Sequence, residues 1–360
     1  MKNVKQYIKI ILFILIIDFS LLIFLEGFCS SFLTLREFIK PIYLEPNRAH
    51  TKYDPLLGWG SIPNIEIKDK VSSKIILKTN SQSFRNNKDF NVNIPKGKIR
   101  IICSGDSFTL GYGVDNEHTW PEQLASLDKR LETVNIGQDG YGVDQAYLWY
   151  MRDGIKLNHD VHILAFITND FSRMNSDKFC DWCKPLLKVI NGKLIVTNVP
   201  VPRYSYLFPQ LRDYTDRLTN LKLYELLRSF FRKVLSFLNI KVDLTDDEVR
   251  TIALKVFENL QYVNKEKSST LILVHLPDYL DFITHESDTW RKWLKVETAK
   301  RGIIYVDLIE EFKKLPSGEI SLLFRIETDG HYTEKGNRIV ARMLYEKLFS
   351  IDERLNRLLK

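Results

Sequence analysis

Five short strand-like runs, mainly apolar except for Thr133–Ile136, constrain this chain more than any other feature: Ile99–Cys103, Thr133–Ile136, Val161–Ile167, Thr270–His275 and Gly302–Val306. A strand with water on one face alternates apolar and polar side chains, whereas a run apolar throughout is buried on both faces. Runs of this kind separated by helical patterns predict a parallel sheet with helices packed on each side. The helical patterns cover Trp120 to Arg130, Val143 to Leu157 and about Gly336 to Phe349. The predicted domain is therefore an α/β sandwich over residues 97–350. With 44% hydrophobic and 12% aromatic residues, the 360-residue chain has ample material for its core.

The gap between the third and fourth runs predicts a helical insertion at about residues 185–268. Leu223, Leu226, Leu227, Phe230, Phe231, Val234 and Leu235 form an apolar stripe at helical spacing. Thr245 and Glu248 then make a capping-box pattern that opens a second helix, ending near Val263. Upstream, residues 34–96 read as a juxtamembrane extension of turns and short strands, with Tyr53–Gly60 turn-rich and Ser73–Lys78 an exposed strand.

Residues 10–33 read as a transmembrane anchor behind a short tail, residues 1–9. Asp18 interrupts the apolar run Ile10–Leu25, but fourteen apolar residues at roughly −0.5 kcal/mol each outweigh one Asp at about +3 kcal/mol. Lys2, Lys5 and Lys9 precede the run, so the expected topology keeps the N-terminus cytoplasmic and exports the rest. Leu25-Glu26-Gly27-Phe28-Cys29 lacks the small residues of a cleavage site, which favours an uncleaved anchor over a signal peptide. The chain carries 52 Lys+Arg against 45 Asp+Glu, a formal charge of +7, without a dense basic block or zinc-finger spacing. Nucleic acid is therefore not expected as a partner.

The chemistry concentrates at strand ends. Gly105-Asp106-Ser107-Phe108 follows the first run, where an open α/β sheet presents its ligands. A serine needs a neighbouring base, and His331 in Asp329-Gly330-His331-Tyr332 is the candidate, with Asp329 to orient its imidazole. Gly140, after the second run, and Asn169, after the third, are candidate oxyanion donors together with the Ser107 N–H. Helix capping is the competing role for Ser107. Asp106 and Asp170 read as structural acceptors of loop N–H groups, and His118 and His275 as surface or satisfied histidines. The Gly-x-Ser-x-Gly elbow is absent, since Thr109 stands at its second glycine.

These four blocks resemble the SGNH hydrolases, the GDSL-like esterases and lipases, named for Ser, Gly, Asn and His in that order. Here they are Ser107 in GDSF, Gly140 in NIGQDG, Asn169 in TND and His331 in DGH. The resemblance covers about residues 97–170 and 270–349. It implies a flavodoxin-like three-layer sandwich and ester hydrolysis or acyl transfer without metal or organic cofactor. Many members place the aspartate three residues before the histidine, where this chain has Thr328; the spacing of Asp329 resembles the alginate-acetylation branch. Ile167 replaces a common glycine two residues before Asn169, which narrows the pocket, and the long insertion has no counterpart in the family core.

Cys180 and Cys183 form a CxxC that outside the cytoplasm is expected to close a local disulfide. A Cys₂His₂ zinc site with His159 and His162 is disfavoured, because His162 opens a strand. The expectation is thus a single-pass membrane protein, on the periplasmic side of a bacterial inner membrane, that removes or transfers a small acyl group, acetyl above all. Its expected substrate is an acylated envelope carbohydrate. The alternatives are a lipid ester, or a catalytically silent envelope-binding or assembly protein on the same scaffold.

Overall fold

A computed structural model describes residues 2–39, 50–68, 75–179, 182–202, 244–326 and 330–351. The chain divides into two compact units, Met1–Leu44 with Pro202–Asp243, and Glu45–Val201 with Leu244–Lys360. In the first unit, helix α1 (Lys2–Ile39) contains a span, Lys9–Leu33, long and apolar enough to cross a membrane. Length and composition make it a candidate anchor or signal sequence. The predicted stripe from Leu223 to Leu235 lies outside the described residues.

The second unit opens with two hairpins, β1 (Thr51–Asp54) on β2 (Gly58–Ser61) and β3 (Glu66–Lys68) on β4 (Ile76–Lys78). Its centre is a five-stranded sheet of β5 (Ile99–Gly105), β6 (Leu131–Gly137) and β7 (Val161–Phe166), completed later in the chain. Two further hairpins come between, β8 (Lys178–Phe179) on β9 (Trp182–Cys183) and β10 (Leu186–Ile190) on β11 (Lys193–Thr197). Then β12 (Thr270–His275) and β13 (Ile304–Asp307) finish the sheet in the order β13-β12-β7-β5-β6, every pair parallel. In strand-by-strand terms the order is 2-1-3-4-5. The chain steps from β5 to β6, then crosses back to β7, and ligands collect at the carboxyl ends where the direction reverses.

Every residue of β5, β6 and β7 is buried. Alternate side chains serve opposite faces. Ile102, Leu164 and Leu273 pack with Ala146 and Tyr150 of helix α4 (Val143–Arg152) and with Ala253 and Phe257. Ile101, Cys103, Ile163 and Val274 pack on the other side with Trp120 and Leu124, and with Val340 and Leu344 of the terminal helix Glu334–Ile351.

Two sequence expectations change. Leu57, Trp59, Phe84 and Phe90 share the core with the sheet, so the described residues 50–68 and 75–96 are built into the domain and do not form a separate extension. Their apolar positions come singly among turns, which leaves no period to read. The helix Asp246–Glu266 has the predicted capping box, but it covers the sheet through Val249, Ile252, Val256 and Leu260 and is no part of an insertion. A helix at Glu286–Lys300 has no counterpart in the sequence reading. Only Ser287, Leu294 and Thr298 are buried along it, too sparse a stripe to announce itself.

Candidate active site

The turn after β5 decides what Ser107 is free to do. Asp106 is the N-cap of the short helix α2 (Ser107–Leu110), accepting from the Phe108 N–H at 2.9 Å. Capping is thus performed by Asp106, and the Ser107 hydroxyl is released for another partner. The helix fits against the strand ends because two glycines make room. A Cβ on Gly105 would meet Ala165 O at 2.4 Å, and one on Gly137 would meet Leu110 N at 2.2 Å. At the far end of α2, the buried Arg85 donates to Leu110 O (2.8 Å) and Gly111 O (2.7 Å).

Ser107 Oγ lies 2.7 Å from His331 Nε2. The imidazole sits between aromatic rings, its centroid 4.7 Å from Phe108 and 4.9 Å from Tyr112. Its backbone is tied down as well: Arg325 N–H donates to His331 O at 2.8 Å, and the neighbouring Tyr332 hydroxyl donates to Pro277 O at 2.6 Å. With Nε2 accepting from the serine hydroxyl, the imidazole is placed to take its proton. Asp329 lies outside the described residues.

The two other predicted residues stand at the ends of the strands that flank β5. Gly140 has φ +73°, and a Cβ there would meet the Phe179 ring at 2.5 Å, so both conformation and space require glycine. The loop is fixed to the next strand by Gln138 N–H donating to Gly105 O (3.1 Å). Asn169 opens helix α5 (Asn169–Ser172) after β7 and is exposed. The Ser172 hydroxyl donates to Asn169 Oδ1 at 2.5 Å, which occupies the carbonyl end of the amide and leaves its NH₂ as the donor.

Beneath these loops is a group of buried charges. Asp170 accepts from the Ile167 N–H (3.1 Å) and pairs with Arg173 Nη1 (2.6 Å); Asp106 lies 3.5 Å from the same nitrogen. Burial pushes both carboxyls up, outweighing the one guanidinium they share. Lys184 and Asp144, both fully buried, form a second ion pair alongside, and Lys184 Nζ also donates to Arg173 O at 3.1 Å. The acceptor roles read from the sequence for Asp106 and Asp170 hold. Arg173, Ser172, Lys184 and Arg85 were not singled out there. Arg173 was within reach, since a basic residue three after Asp170 shares its helical face; Lys184 and Arg85 carry no local signal.

Four other histidines, His118, His159, His162 and His275, have polar neighbours of their own. His162 bonds Ser104 Oγ (2.8 Å) and Asn264 (3.2 Å), and His159 bonds Leu157 O (2.7 Å) and Asn264 (3.1 Å). Burial pushes both imidazoles down, which keeps them neutral. His275 bonds Thr168 Oγ1 (2.9 Å) and the Tyr305 hydroxyl (3.0 Å), and His118 lies 3.6 Å from Glu334. Among the described residues no three His, Cys, Asp or Glu side chains gather as metal ligands. Cys183 pairs with Lys178 across the β8–β9 hairpin, while Cys180 lies outside the described residues.

No family model and no curated protein matches the chain. Among solved structures it is similar to a member of the lipolytic G-D-S-L family from Veillonella parvula, with 16% identity over 71% of this chain and 100% of the other, TM-score 0.41. A second is a lipolytic protein of that family from Desulfitobacterium hafniense, with 13% identity, 69% and 99% coverage and TM-score 0.40. A third is an acetyl xylan esterase, with 13% identity, 69% and 100% coverage and TM-score 0.42.

Proposed function

We propose that this chain is a membrane-anchored serine esterase or acyltransferase of the SGNH type, working through an acyl-Ser107 intermediate. The observation that carries this reading is the 2.7 Å approach of His331 Nε2 to Ser107 Oγ at the point where the strand order reverses. A scaffold that had lost its chemistry would have no reason to hold those two atoms together.

In the proposed reaction His331 takes the hydroxyl proton as Ser107 Oγ attacks the ester carbonyl. The Ser107 and Gly140 N–H groups and the Asn169 NH₂ donate to the oxyanion. Collapse of the tetrahedral intermediate expels the alcohol, which receives the proton from His331. Water or a sugar hydroxyl then gives its proton to the same imidazole, attacks the acyl group and frees the serine. Asp329 is assigned the role of orienting His331, on its position two residues before it in the sequence. The proposed substrate is a small acyl ester, acetyl above all, on an envelope carbohydrate. The apolar span Lys9–Leu33 supports placement at a bilayer, with the domain on the extracytoplasmic side. A local Cys180–Cys183 disulfide belongs to the same proposal.

The test is full-length protein in detergent with p-nitrophenyl acetate and a fluorophosphonate probe, beside Ser107→Ala. Turnover and labelling that disappear in the variant establish an acyl-serine enzyme. A folded wild type that neither turns over nor labels overturns the reading.

A further inference from the structure

Three separate loops carry Ser107, Gly140 and Asn169, and a single side-chain nitrogen reaches a neighbour of each. Arg173 Nη1 lies 2.6 Å from Asp170 Oδ1, beside Asn169. It donates to Tyr141 O at 2.9 Å, the carbonyl following Gly140. It lies 3.5 Å from Asp106 Oδ2, beside Ser107. The guanidinium is nearly buried, and its own backbone carbonyl is held by Lys184.

Each contact bears on the orientation of a candidate donor. Asp106 sets the first turn of α2 by capping the Phe108 N–H, and so aims the Ser107 hydroxyl and amide. Asp170 bonds the Ile167 N–H, which closes the turn that presents Asn169. Tyr141 O directly follows Gly140, whose own backbone is in the left-handed region. We infer that Arg173 is the positioning residue of this site, a common anchor that holds the three oxyanion donors in mutual register. A guanidinium suits the task because its rigid plane fixes the directions of the two Nη1 N–H bonds at the end of a long side chain; an ammonium is a point charge on a flexible stem.

The inference builds on the acyl-serine reading, and two measurements keep the two apart. Arg173→Lys retains the charge that balances the buried carboxylates and gives up the rigid plane that fixes Nη1 among its three neighbours. In the full chain, with folding verified by its thermal transition, kcat on p-nitrophenyl acetate should fall about 10²-fold while KM stays within about threefold, since misplacement by an ångström costs that much. Hydrogen exchange should rise in all three loops, around residues 105–110, 137–142 and 167–172. A folded Arg173→Lys with kcat within about threefold of wild type overturns the inference and leaves the esterase reading standing. If wild type itself does not turn over, the esterase reading fails, and exchange decides: a rise in all three loops upholds the anchor, and a rise confined to the Asp170 loop overturns it. Should Arg173→Lys fail to fold, Arg173→Gln with Asp170→Asn removes one charge of each sign and takes the same two readings.

Discussion

His331 Nε2 and Ser107 Oγ stand 2.7 Å apart although the two residues are 224 positions apart in the chain. The terminal helix begins three residues after His331, at Glu334, and its N-terminal end is joined to helix α3 (Trp120–Leu127) by Asn337 accepting from the Trp120 N–H at 3.0 Å. Phe108 and Tyr332 close the gap from below in an edge-to-face contact at 4.9 Å. The pairing is thus part of the packing of one sheet face, and both partners answer to the same test.

Ser107→Ala and His331→Ala should each lower kcat by about 10⁴-fold or more, with nearly the same loss in the double variant, because nucleophile and base act as one unit. Steady-state kinetics on the three proteins, with melting temperatures close to wild type, would check this. Additive losses would mean that the two residues work independently.

Asn169→Ala should reduce kcat about 10²–10³-fold, the usual effect of losing one oxyanion donor, with little change in KM or stability. The residue is exposed and packs against little, so a large drop in melting temperature would contradict that assignment. Ser172→Ala frees the amide to rotate and should fall between wild type and Asn169→Ala.

Gly140→Ala and Gly330→Ala differ only in their surroundings. Both positions have positive φ, +73° and +72°, and both should lose roughly 1 kcal/mol or more to backbone strain. At Gly330 a new Cβ meets open space, whereas at Gly140 it meets Phe179 at 2.5 Å. Chemical denaturation should therefore show the larger loss for Gly140→Ala, accompanied by a fall in activity.

Lys184→Met strands the Asp144 carboxylate in the interior and should cost about 3–5 kcal/mol. Lys184→Met with Asp144→Leu should recover most of it, since removing both charges removes the desolvation penalty. Denaturation midpoints of the two variants decide the matter.

Acid should destabilise the fold partly through His50. Burial, with Arg85 nearby, pushes its imidazole down to about 4. Above pH 6.5 the histidine is neutral whether folded or unfolded and contributes no slope. Between 6.5 and about 4 the unfolded chain binds the proton and the folded one does not, so stability is lost as pH falls. The full loss is about 3 kcal/mol, at roughly 1.4 kcal/mol per pH unit. Asp281, pushed up to about 7 by burial, acts in the other direction, losing its contribution as pH rises from 3.8 through 7. The slope of melting temperature against pH for His50→Gln, set beside wild type, isolates the histidine.

What the sequence determined by itself were the features written in adjacent residues. The runs at Ile99, Val161 and Thr270 declare a doubly covered parallel sheet, because a strand buried on both faces can carry no polar alternation. Thr245 with Glu248 announces a helix start, and Ser107, Gly140 and Asn169 follow strands at the end where such a sheet gathers ligands, with His331 just ahead of the terminal helix. Tertiary structure alone decided that Asp106 takes the capping duty and leaves Ser107 to His331. It alone brought Leu57, Trp59 and Arg85 into the domain, and drew Asp106, Tyr141 and Asp170 to one guanidinium. Those relations join residues far apart in the chain, and their free energy comes from burial and charge pairing that exist only once the sheet has assembled.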